Sequence, residues 1–208
     1  MKFDPKFRVE SPRLLIVEGS DELLLLNAAR SRVADFPTVQ IHTLDGKDAL
    51  KKFLDSLRSM DGFSGLQWIA ILRDADDSAS AAFDSVAKAV RGAGFEAPLA
   101  HAEYSSGIPR VGVFIVPDGD SPGMLETLCV SSVRNSPGME CVNEFLKCAK
   151  RADLSPKTPE KAQAYAWLAI QSNPGKRVGE GAEFNSWDLA HPDFSGLWNF
   201  LRQMNAST

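Results

Sequence analysis

W-I-A-I-L-R-D-A-D-D, residues 68–77, is the stretch that decides how this chain is read. Trp68, Ile69, Ala70, Ile71 and Leu72 run without polar alternation, the pattern of a strand covered on both faces of a parallel sheet. The run ends on charge. Asp74 and Asp76 lie two apart, so in an extended segment both side chains point the same way, out of the carboxyl end of the strand where open α/β sheets place their ligands. Two carboxylates about 4 Å apart repel by a few kcal/mol at an effective dielectric of roughly 20. Either of two arrangements offsets this: Asp76, Asp77 and Ser78 cap and charge the following helix, or Asp74 and Asp76 share a divalent cation.

Working outward, the pattern recurs upstream. R-L-L-I-V at residues 13–17 is a second buried strand, ended by Glu18 and Gly19, and Ser20, Asp21 and Glu22 open a helix over residues 23–34. Residues 38–44 read as a shorter, half-covered strand. Leu50, Phe53, Leu54 and Leu57 follow the i, i+3, i+4, i+7 spacing of an amphipathic helix. Downstream of the opening strand, Ala79, Ala82, Phe83, Val86 and Val90 form a helical stripe stopped by Gly92 and Gly94. Residues 99–104 and 111–116 read as strands joined by a five-residue loop, a hairpin that would make the sheet mixed. A loop over residues 117–123 leads to a short helix with Glu126 in its first turns. Met139, Val142, Phe145, Leu146 and Ala149 mark another helix, and a linker at Pro156 and Pro159 precedes one with Tyr165, Leu168 and Ala169. A glycine-rich loop at residues 175–181 and an aromatic cluster of Phe184, Trp187, Phe194, Trp198 and Phe200 complete the chain. The alternation predicts an α/β core over residues 1–135, with a mainly parallel, Rossmann-like sheet flanked by helices, and a helical extension over residues 136–208 packed on it.

With 208 residues, of which 44% are hydrophobic, the chain can bury a sizeable core. Its net charge of −4 argues against a surface that grips nucleic acid all over, yet permits a local basic groove beside an acidic site. The opening M-K-F-D-P-K-F-R has no apolar core of signal-peptide length, and the longest aliphatic run, residues 23–26, cannot span a bilayer. A cytoplasmic protein without a membrane segment is expected. Cys129, Cys141 and Cys148 show no C-x-x-C spacing, which fits a reducing compartment. Cys141 and Cys148, seven apart on one helix, are expected in the core.

Several chemistries are set aside. Neither Gly46-Lys47 nor Gly175-Lys176 has the preceding glycine of a P-loop. His42, His101 and His191 are scattered and join no metal-ligand spacing, so each is read as structural. Gly119-Asp120-Ser121-Pro122-Gly123 matches G-x-S-x-G, but the residue after the serine must donate its N–H to the oxyanion, and Pro122 has none. Ser121 reads instead as a helix N-cap with proline at the first helical position. A phosphoaspartyl phosphatase also uses an aspartate pair after a strand; here a whole strand–helix–strand–helix unit precedes the pair, which counts against it. Asp118 and Asp120 read as turn residues.

The remaining account joins the two strand ends. L-L-I-V-E-G-S-D-E and A-I-L-R-D-A-D-D, in that order and each behind a buried strand, resemble the Toprim domain of topoisomerases, DnaG-type primases and certain nucleases, where a glutamate and a D-x-D surround magnesium. G-M-L-E-T-L at residues 123–128 is similar to the glutamate segment of the overcoming-lysogenization-defect nuclease branch. K-A-Q-A-Y-A-W-L-A, G-K-R-V-G-E-G-A-E and W-D-L-A-H-P-D-F resemble a stand-alone Toprim-like family of bacterial proteins with no assigned activity. The resemblance implies Mg2+ or Mn2+ held by Asp74 and Asp76, with Glu18 as ligand or general base. It further implies Glu126 and Glu22 at a second metal, and Lys161 stabilising transition-state charge. The implied function is metal-dependent phosphodiester hydrolysis of DNA or RNA. That branch carries its own ATPase, so a separately encoded ATPase partner is expected; homo-oligomerisation is left open. The rival expectation is a non-catalytic interaction module in a defence or DNA-processing assembly, which Arg73 and the acidic composition favour. Glu22 and Lys161 each have a plainer reading as helix-terminus charges.

Overall fold

Four apolar runs become strands: β1 (Arg13–Val17), β2 (Gln40–Thr43), β3 (Trp68–Asp74) and β4 (Arg110–Val116). They are hydrogen-bonded in the order β2-β1-β3-β4, and every pairing is parallel. This computed structural model describes residues 7–44 and 49–206; the Gly46-Lys47 pair and the first six residues lie outside the described residues. Parallel neighbours need crossovers, and α1 (Ser20–Ala29), α2 (Ala49–Leu57) and α3 (Ala79–Gly92) supply helices for them.

Alternation along the strands sorts the core into two clusters. Leu14, Ile16, Ile69, Ile71, Val113 and Ile115 pack with α2 and α3 on one face of the sheet. Leu15, Val17, Ala70, Leu72, Phe114 and Val116 pack on the other face with α1 and the C-terminal helices. Those helices are α4 (Leu125–Ser131), α5 (Pro137–Arg151), α6 (Pro159–Ala169), α7 (Val178–Glu183) and α8 (Ser195–Arg202). Residues after 136 therefore share one apolar cluster with the sheet. Phe200 stacks on Tyr104 with ring centroids 4.8 Å apart, and Phe194 on Trp198 at 5.4 Å.

Three expectations fail, each for a physical reason. The hairpin does not form: residues 99–104 make a single isolated antiparallel bridge, Tyr104 to Gly112. The edge of β4 is shared between backbone and side chains instead: the Ala102 and Ser105 N–H groups donate to the Val113 and Val111 carbonyls at 2.8 and 2.9 Å, while Ser105 Oγ accepts from the Val111 N–H at 2.9 Å and His101 Nδ1 from the Ile115 N–H at 3.0 Å. The glycine-rich stretch is partly helix, since α7 begins at Val178. Cys141 and Cys148 are exposed, because α5 turns Met139 and Val142 inward and leaves both thiols on its far side; only Cys129 is buried. Among the described residues no helix is long and apolar enough to cross a membrane.

The glycines of α7 explain how closely it meets α1. A Cβ on Gly179 would overlap the backbone of Asp21, and one on Gly181 would lie 2.6 Å from Trp187 Nε1. Gly179→Ala is accordingly expected to cost about 1–3 kcal/mol as α7 is pushed from α1, read as a lower urea midpoint with unchanged slope. Parent-like stability would contradict this packing.

Candidate acidic site

The strand order places the functional address. From β1 the chain crosses outward to β2, and from β3 it crosses the opposite way to β4, so the crevice at the carboxyl ends opens between β1 and β3. Glu18 follows the first of these strands and Asp74 closes the second. Glu22 in the first turn of α1 and Glu126 in the first turn of α4 are both buried.

Asp74 is the centre. Its Oδ1 accepts from the N–H of Leu125, the first residue of α4, at 3.0 Å. Asp74 thus does the capping expected of Ser121, whose own N–H donates to Asp118 Oδ1 at 2.8 Å within a turn. Burial above all, then the charges of Glu22, Glu18, Glu126 and Asp76, pushes the Asp74 carboxyl up to about 8. Glu22 is raised too: burial dominates, a backbone hydrogen bond opposes it, and Glu18, Asp21 and Glu126 add to it. Asp74 therefore feels four other acids, drawn with it from three separate segments, and Asp21 adds to the charge on Glu22.

Asp76 enters differently from expected. β3 ends at Asp74, and Asp76 has a left-handed φ of 51°, which aspartate tolerates better than most residues. Simple alternation does not aim its side chain. Its backbone is clamped to the loop before α4, exchanging two 2.8 Å hydrogen bonds with Gly123. The helix cap falls to Ser78, whose Oγ accepts from the Ala81 N–H at 3.3 Å.

The protein's own cations reach two of the acids. Arg73 Nε lies 3.2 Å from Glu18 Oε2, outside hydrogen-bond geometry, with both side chains largely buried. Lys161 Nζ is 3.7 Å from Glu126 Oε1, and that lysine is half exposed. The structure therefore brings Lys161 to the cluster from α6. Among the described residues, no three His, Cys, Asp or Glu side chains form a group closed enough to hold a metal ion as they stand. The donors are nonetheless all carboxylate oxygens, the set that suits a hard divalent cation such as Mg2+ or Mn2+.

Other parts of the site escape sequence reasoning. Arg177 reaches Ser20 Oγ at 2.7 Å and Asp21 Oδ2 at 2.9 Å, and the Gly179 N–H donates to Asp21 Oδ1 at 2.9 Å, so α7 braces the start of α1. A cavity of about 510 Å³ opens beside Asp76 and Asp77, bounded by Thr127, Lys157 and Glu160. The partners are far apart in sequence, and no local pattern announces them. The histidines are structural: His42 stacks on Phe53 at 4.2 Å, His101 serves the edge of β4, and His191 Nδ1 accepts from the Asp193 N–H at 3.2 Å.

Residues 12–205 match the family described as protein of unknown function DUF3226. The chain belongs to the DUF3226 family. No curated protein and no solved structure matches it. The matched span of this DUF3226 chain contains Glu18, Glu22, Asp74, Asp76, Glu126 and Lys161.

The raised Asp74 carboxyl fixes the sign of a pH effect. The fold holds that proton more tightly than the unfolded chain, so this contribution is complete below about pH 4 and is lost as pH rises through about 8. Asp74→Asn keeps a neutral acceptor for Leu125 and removes the loss. With chelator present, the variant should gain on the parent between pH 5 and pH 8.5, by at least about 3 °C in Tm, the response to roughly 1 kcal/mol in a chain this long. A gap that stays constant or shrinks would show that Asp74 is not crowded by its neighbours.

Proposed function

We propose that the acidic crevice holds Mg2+ or Mn2+ and hydrolyses phosphodiester bonds of nucleic acid. The observation that carries this reading is the crowding of Glu18, Glu22, Asp76 and Glu126 on the half-buried, largely desolvated Asp74 at the switch point of a parallel sheet. Such a concentration of acid is costly unless protons or cations offset it. The ordered resemblance of the two strand ends to Toprim domains supports the same reading.

In this account Asp74 and Asp76 are ligands, with Glu22 and Glu126 supplying further oxygens. A bound divalent cation supplies a more acidic water and charge neutralisation at the leaving oxygen. Glu18 acts as a further ligand or takes the proton of the attacking water, with Arg73 positioning its carboxylate. Lys161, swung from Glu126, offsets charge gathering on the phosphoryl oxygens. The cavity beside Asp76 and Asp77 receives the strand to be cut.

A second reading, a non-catalytic partner module that keeps the fold, is favoured by the contacts of Arg73 with Glu18 and Lys161 with Glu126, since the protein's own cations already offset part of the charge. Nuclease assays on plasmid and single-stranded substrates separate the two. The parent should cleave with Mg2+ or Mn2+ and stop with EDTA, and the Asp74→Ala/Asp76→Ala double variant, which removes ligands themselves, should lose at least about 100-fold, the upper end of what losing an outer-shell partner costs at metal sites. Equal cleavage by both proteins would indicate contamination and sink the nuclease reading. Cation-dependent stabilisation without cleavage would leave the partner module.

A further inference from the structure

β3 carries a cation into the acidic crevice immediately before its acid. Arg73 leaves the strand on the face of Ile69 and Ile71, toward α2 and α3, whereas Asp74 leaves it on the face of Ala70 and Leu72, toward α1 and α4. The Leu125 N–H bonded to Asp74 confirms the second direction. Glu18 lies against Arg73, with Oε2 3.2 Å from Nε; both atoms are shut off from solvent, and neither has a hydrogen-bond partner among the described residues. The acids are therefore divided. Glu18 is matched by a guanidinium on one side of the strand ends, while Asp74 meets Glu22 of α1 and Glu126 of α4 on the other.

The two cations that touch these acids differ in kind. Lys161 is half exposed and 3.7 Å from Glu126, so its flexible stem can swing into water and release that carboxylate to a ligand. Arg73 has no such freedom. Its side chain is only 14% exposed, a guanidinium keeps its charge at any working pH, and a buried pair is little screened by salt. A dication that took Glu18 as a ligand would have to come within a few ångströms of that fixed positive charge. Asp74 presents the opposite surroundings, since the strongest charges acting on it are the acids Glu22, Glu18, Glu126 and Asp76. On the reading that the crevice binds Mg2+ or Mn2+, on which this rests, we infer that it takes a single divalent cation, held by Asp74 and Asp76 with Glu22 and Glu126. Arg73 fills the place of a second cation and keeps Glu18 as a base rather than a ligand.

Titration of the metal-free full chain with Mn2+, followed by electron paramagnetic resonance, counts the ions without reference to activity. The parent should bind one Mn2+ with the spectrum of an isolated ion. Arg73→Gln should bind two, and the second should broaden the signal through coupling between neighbouring ions. Arg73→Lys keeps a cation in place and should stay at one. Replacing both partners of a buried pair is tolerated better than removing one, so an Arg73→Gln/Glu18→Gln double variant serves even where the single variant does not fold. It should keep its single ion with less than about a tenfold loss of affinity, the least that losing a residue behind a ligand costs at metal sites. Two ions in the parent, one in a folded Arg73→Gln, or a double variant weakened beyond that limit would each overturn the inference and leave a cation-binding crevice standing. No ion in the parent would instead remove the cation-binding reading itself, and the inference with it.

Discussion

The crowding of one half-buried carboxyl group by four others organises this molecule. Asp74 ends the central strand pair and is covered by α1 and α4, both of which begin with a buried glutamate. Its oxygen receives the first amide of α4, so the residue that suffers most from crowding also fixes the helix that brings Glu126. Moving any one of these elements would relieve the repulsion and dismantle the crevice.

The rest of the fold braces this arrangement. A parallel sheet with both faces covered leaves the strand ends as the exposed functional edge, and the order β2-β1-β3-β4 opens the crevice between the two acidic ends. Arg177 and the Gly179 amide hold Asp21, which keeps the start of α1, and with it Glu22, against the site. Gly123 pairs with Asp76 through backbone alone, tying the second aspartate to the loop that feeds α4. The C-terminal helices thus do more than extend the core: α7 anchors one glutamate and α6 offers Lys161 to another.

Sequence reading succeeded where burial leaves a local imprint. The unbroken apolar runs of β1, β3 and β4 and the acids behind them were legible because a strand covered on both faces has no room for polar alternation. It failed where a distant partner decided the outcome. Residues 99–104 look strand-like, yet Tyr104 turns its ring over Gly112 and His101 lends a nitrogen to the sheet edge, so no ladder forms. The glycines before Trp187 look like a loop, yet Gly179 lets α7 approach Asp21 and Gly181 makes room for Trp187. Glu18 was legible as an acid at a strand end, and its contact with Arg73 follows from register, since the pairing of Ile16 with Ile71 sets residues 18 and 73 level. For Asp76, the left-handed backbone could not be foreseen from a D-x-D string.

Titration calorimetry with Mg2+ and Mn2+ on the metal-free protein, beside an Asp74→Asn variant of matching circular dichroism, tests the central claim most directly. Saturable binding to the parent, lost in the variant, is the result the crowded carboxylates predict. Absence of binding to the parent, or equal binding to both, would mean that the protein tolerates its buried acids by protonation and its own cations alone.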